Sequence, residues 1–191
     1  MSGAAPEAIV IGASAGALEA LSGLLPGLPA DYRLPIIIVV HLPPDKTSLF
    51  AALLRARSAI QVREAEDKEP IEAGVAYFAP PDYHLLVEQD RRLSLSDDEA
   101  VLFSRPSIDV LFESAADAYG AGLVGVVLTG ANGDGASGLK AIVEAGGAAV
   151  VQSPEGAYAT AMPEAAIALC PGARVLSLNE IAAYLREVGA R

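Results

Sequence analysis

The segment PIIIVVH at residues 35–41 constrains the fold more than any other part of the chain. Its β-branched residues Ile36 to Val40 run without a break and stop at a histidine, with Pro43 and Pro44 just beyond. Such side chains are stiff at χ1 and favour strands. A strand with one wet face would alternate apolar with polar residues. This one does not, so it is read as a strand covered by helices on both faces, as in a parallel sheet. Two further runs behave alike. IVIG at 9–12 breaks into the small-residue turn ASAG, and GVVLTG at 125–130 breaks into ANGDG.

Helical patterns separate the runs. Strands are expected at Ala8–Gly12, Leu34–Val40, Leu123–Leu128 and Ala148–Gln152. Helices are expected at Ala15–Leu25, at Thr47–Arg57 after Pro43 and Pro44, at Ser107–Tyr119 and at Gly135–Glu144. A short helix is placed at Pro163–Leu169, and a terminal one follows the capping-box spacing of Ser177 and Glu180. Residues 60–96 change character: short segments with partial alternation, cut by Asp, Pro and Gly, read as an insertion of small antiparallel or edge strands. The alternation of strands and helices predicts an α/β fold: a doubly wound, mainly parallel sheet with helices on both faces and right-handed crossovers. At 191 residues the chain is read as one domain.

Composition narrows the function. A formal net charge of −11 and a pI near 4.5 oppose binding to a phosphate backbone, which relies on Lys and Arg, so no nucleic-acid partner is expected. No apolar stretch reaches the roughly 18 residues that span a bilayer. The opening MSGAAPEA has neither basic residue nor apolar core, so no secretory signal is read and a cytoplasmic location is expected. The single cysteine, Cys170, excludes an internal disulfide framework and is read as a packing residue. With only two histidines, far apart, no metal site is expected.

Chemistry gathers where the apolar runs end. Ser14, His41 and Asp134 lie at or just past the three breaks, and strand ends of one parallel sheet share its carboxyl edge, where such folds place their sites. Each residue has a plainer reading. Ser14 suits a helix N-cap; His41 suits a structural strand end; Asp134 suits an Asp-Gly turn. Together they are the residue types of an activated serine nucleophile. The imidazole takes the hydroxyl proton near neutral pH, and the aspartate holds the imidazole. Backbone amides at the start of the following helix would face a developing oxyanion. His84 is the alternative base and Asn132 the alternative polar group in the Asp134 loop. Glycine spacing at Gly12 and Gly16 matches neither the dinucleotide fingerprint nor a P-loop, which speaks against a dinucleotide site. The rivals to a hydrolase are a non-catalytic binding module on the same scaffold and a general small-ester hydrolase. Ser14 is not set in G-x-S-x-G, which speaks against the α/β-hydrolase elbow.

Six ordered segments carry a resemblance: IVIGASAGALEAL, VVHLPP, YFAPPDYHLLV, SRPSIDVLFESAA, VVLTGANGDGASGL and AMPEAA. From about residue 8 to about 186 the chain resembles the catalytic domain of CheB-type chemotaxis protein-glutamate methylesterases. The resemblance implies a catalytic triad of Ser14, His41 and Asp134, the residues that the strand ends also select. It implies hydrolysis of γ-glutamyl methyl esters on the cytoplasmic helices of chemoreceptors, with release of methanol. It further implies deamidation of particular receptor glutamines, and no cofactor or metal. Oxyanion donors would be the backbone amides of Ala15 and Ala131. Two departures bear on substrate shape: Ala17 stands where the family often has glycine, and Ala131 where it often has methionine. CheB-type enzymes commonly carry an N-terminal receiver domain over the active site. With seven residues before the first strand, the expectation is a single catalytic domain over 1–191 without it, either standing alone or cut from a longer chain.

Overall fold

A computed structural model describes residues 4–42 and 47–190. The apolar runs form the middle of a seven-stranded sheet. Its strands are β1 (Ala8–Ala13), β2 (Ile36–Val40), β3 (Gln61–Glu64), β4 (Val75–Phe78), β7 (Leu123–Val127), β8 (Ala148–Gln152) and β9 (Arg174–Leu176). They lie in the order β3-β4-β2-β1-β7-β8-β9, with every neighbouring pair parallel. β5 (His84–Val87) and β6 (Leu93–Ser96) form a separate antiparallel pair.

Helices cover both faces, which is why the central strands need no polar residue. On one face α1 (Ala17–Leu24), α2 (Thr47–Arg55) and α6 (Leu178–Ala190) pack on Ile9, Ile11, Ile36, Ile38, Val124 and Val126. On the other, α3 (Ile108–Tyr119), α4 (Ala136–Glu144) and α5 (Ala161–Leu169) pack on Val10, Ile37, Val39 and Val127. Cys170 is buried in this second layer, and burial pushes its thiol pKa up, in keeping with a packing residue.

The chain leaves β1 toward β2 and later returns to the opposite side of β1 with β7. Ligand crevices of doubly wound sheets open where the strand order reverses in this way. The insertion divides into two parts: β3 and β4 extend the main sheet as parallel strands, β3 being its edge, and only β5–β6 is antiparallel. Pattern alone does not separate these, because partial alternation marks any half-covered strand. Pro43 and Pro44, read as opening α2, lie outside the described residues. The Ser177–Glu180 box closes as the spacing predicts: the Ser177 amide donates to Glu180 Oε2 at 2.8 Å and the Glu180 amide to Ser177 Oγ at 3.3 Å.

Candidate active site

Parallel register sets the first two residues side by side. Ala13 pairs with Val40, so Ser14 and His41 both emerge one residue past paired strand ends. The His41 amide donates to the Ala13 carbonyl at 3.1 Å, and the Ser14 amide to Thr129 of the β7 end at 2.9 Å. Ser14 is not a helix cap. Gly16, at φ 85°, holds that position in a left-handed conformation that glycine adopts freely, and α1 starts only at Ala17. The Ser14 hydroxyl is thereby left to the cleft, half-buried beside His41 and Ala15.

Asp134 reaches the same edge from the loop after β7. Its Oδ2 lies 2.7 Å from His41 Nε2, with the carboxyl wholly buried. Three more donors converge on it, all from the start of α3: Ser107 Oγ (2.9 Å) and the amides of Ile108 (2.7 Å) and Asp109 (2.9 Å). These amides have no partner within their own helix and carry the positive end of its dipole. Burial pushes the Asp134 pKa up, but the bonds from His41 and from the Asp109 and Ile108 amides prevail, and the net shift is downward. The carboxylate is therefore ionised and only accepts. His41 must carry its proton on Nε2, which leaves the Nδ1 lone pair for a hydroxyl. Asn132 Nδ2 approaches Nδ1 at 3.5 Å, the outer limit of a hydrogen bond.

The oxyanion candidates sit in turns beside these groups. Ala15 lines the cleft, and Ala131 is exposed in the loop before Asp134. Among the described residues neither amide donates to a protein acceptor. His84 is elsewhere: it is buried, with Nε2 2.9 Å from the Glu99 carbonyl and Nδ1 accepting from the Ser107 amide at 3.1 Å. It therefore supports the α3 start and does not enter the cleft.

Four residues of this network escape a reading of the sequence. Ser107 and Asp109 act through α3, and buried Thr129 donates from Oγ1 to the Ala15 carbonyl at 2.8 Å while accepting from the Ala159 amide at 2.9 Å. Gln152 Oε1 accepts from the Thr129 amide at 2.9 Å. The one legible signal was a buried-looking Thr and Gln ending apolar strands, where a polar side chain needs a partner.

The cleft itself is an open cavity of about 560 Å³ lined by Ser14, Ala15, His41, Leu42, Phe50 and Tyr158. A smaller one of about 270 Å³ adjoins His41 from the Phe103–Pro106 side. The rim is apolar. Leu18, Tyr158 and Phe103 are exposed, Phe103 completely. Leu102 and Phe103 also hold positive φ (47° and 62°) at the tip of a tight turn closed by the Val101–Ser104 bridge. Non-glycine residues pay for that conformation with strain.

A doubly wound sheet presenting a serine, a histidine and a buried aspartate at one carboxyl edge has the parts of a Ser-His-Asp hydrolase. The family profile of the CheB methylesterases matches residues 9–185, and the chain belongs to that family. A protein of Leptospira interrogans, provisionally named a protein-glutamate methylesterase/protein-glutamine glutaminase, is 51% identical over 92% of this chain and 91% of its own length. An Archaeoglobus fulgidus protein-glutamate methylesterase/protein-glutamine glutaminase is 39% identical over 91% of this chain, which spans 51% of that relative. The crystal structure of the Thermotoga maritima CheB methylesterase catalytic domain superposes with a TM-score of 0.92 at 31% identity, covering 97% of this chain and all of that one.

Proposed function

We propose that the protein is a protein-glutamate methylesterase that demethylates glutamate γ-methyl esters on methyl-accepting chemotaxis receptors and deamidates glutamines in the same setting. The observation that carries the reading is the 2.7 Å bond from His41 to buried Asp134 at the strand edge that also holds Ser14. In the proposed mechanism His41 Nδ1 takes the Ser14 hydroxyl proton as Oγ bonds to the ester carbonyl carbon. The oxyanion rests on the amides of Ala15 and Ala131; one such donor contributes about 10²–10³ in rate. The carbonyl reforms, the C–O bond to methoxide breaks, and His41 returns the proton to release methanol. Water then repeats the sequence on the acyl-enzyme, giving glutamate and free Ser14. For glutamine the leaving group is ammonia. No cofactor enters any step.

The partners are the cytoplasmic helices of the receptors, which places the reaction in the cytoplasm. An open cleft with exposed apolar side chains on its rim suits a helix surface that delivers one side chain. Among the described residues no helix is long and apolar enough to cross a membrane. A fluorophosphonate probe with peptide mass spectrometry tests the catalytic reading: labelling is expected at Ser14 and is expected to fall sharply in His41→Ala. A protein that folds and takes no label at Ser14 is a binding module, and the proposal fails.

A further inference from the structure

The two buried aspartates exchange helix caps. Asp134 precedes α4 but accepts from the first amides of α3. Asp109 belongs to the first turn of α3, yet its Oδ1 accepts from the α4 amides of Gly135 (2.9 Å) and Gly138 (2.7 Å). Each carboxylate thus terminates the helix that the other belongs to or precedes. The helices meet closely at this point: a Cβ on Gly138 would lie 2.5 Å from Phe112 Cβ and 3.0 Å from Asp109 Cα. The loop of Asp134 is therefore clasped from both sides. α3 orients its carboxylate, and Asp109 holds the start of α4 that follows it.

Chemistry at Ser14 and His41 calls for one carboxylate, and a second buried one nearby is electrostatically unfavourable to the first. A clasp gives the second a reason to be there. His41 Nε2 meets Oδ2, the same oxygen that accepts from the Ile108 amide. A shift of α3 against the 131–135 loop would therefore move the acceptor away from the imidazole. We propose that Asp109 is a positioning residue for the Ser14–His41–Asp134 site, locking the Asp134 carboxylate against His41 through the reciprocal caps of α3 and α4. This rests on the ester-hydrolase reading.

Asp109→Ala leaves the Gly135 and Gly138 amides buried without an acceptor, whereas Asp109→Asn keeps an oxygen in the place of Oδ1. Steady-state kinetics on a methyl-ester substrate should show kcat falling about 10²-fold in Asp109→Ala with KM little changed, the scale of a small misplacement of catalytic groups. Asp109→Asn should restore most of that loss. Ile181→Ala, a buried change in α6 on the opposite face, should lower the melting temperature comparably and spare kcat. The downfield proton resonance of His41 Nε2–H, which needs no turnover, should persist in Asp109→Asn and Ile181→Ala and be lost in Asp109→Ala. If Asp109→Ala does not fold, Asp109→Glu replaces it with the same expected losses. The proposal is overturned if the Asp109 variant keeps the resonance and kcat within about threefold of wild type, if Ile181→Ala loses as much kcat, or if Asp109→Asn restores nothing. A wild type with no esterase activity would refute the hydrolase reading instead, and the resonance would still judge the clasp.

Discussion

Asp109 and Asp134 lie in one network but respond to acid in opposite directions. Burial first, then the Asp134 charge against the pull of the Gly138 and Gly135 amides, lifts the Asp109 pKa from the ordinary 3.8 to about 6. The native state thus binds this proton more tightly than the unfolded chain does. The stability this contributes is fully present below about pH 3.8 and is lost as pH rises through about 6. Asp134, with its pKa depressed, contributes stability above the ordinary carboxylate value that disappears only as pH falls through its lower native one. Replacing Asp109 by Asn removes the first effect. The melting temperature of Asp109→Asn relative to wild type should therefore rise between pH 4 and pH 7, and a flat difference would contradict the assignment. Ser14, His41 and Asp134 were legible because each punctuates an apolar run. Ser107, Asp109 and Thr129 were not, because their bonds join segments that meet only after the helices have packed.

At the scale of elements, apolar pattern and caps found the central strands and helices, and the errors lie at their ends. α1 begins two residues later than its periodicity predicts because the left-handed Gly16 holds the Ser14 turn ahead of it. The pattern of residues 60–96 reads as an insertion of antiparallel or edge strands, and β3 and β4 lengthen the main sheet in parallel, because pairing partners far along the chain leave no local mark. α6 docks through Ile181, Leu185 and Val188 on the face opposite α3 and α4. Leu185 is fully buried, and its carbonyl accepts from the Tyr32 hydroxyl at 2.6 Å. Leu185→Ala should cost about 3 kcal/mol in denaturant unfolding while kcat of the folded fraction stays unchanged. A large loss of kcat would show that α6 communicates with the cleft.

Across the whole molecule, the fold brings the ends of β1, β2 and β7 to one edge, with exposed Leu18, Phe103 and Tyr158 around them. Strand order was only partly legible: parallel neighbours followed from the non-alternating runs, but the reversal at β1 depends on packing across both faces. The rim bears on substrate size. Phe103 is fully exposed on a strained turn beside His41, an arrangement that neither burial nor backbone preference explains within the chain itself. Phe103→Ala should therefore raise KM for a methylated receptor several-fold and leave kcat, and turnover of a small methyl ester, unchanged. Equal effects on both substrates would remove the rim from substrate binding. The most direct test of the central claim is methanol release from chemoreceptor membranes carrying labelled methyl groups. Wild-type protein should release labelled methanol, and Ser14→Ala, folded to the same melting temperature, should release none above background. Undiminished release by Ser14→Ala would contradict the account.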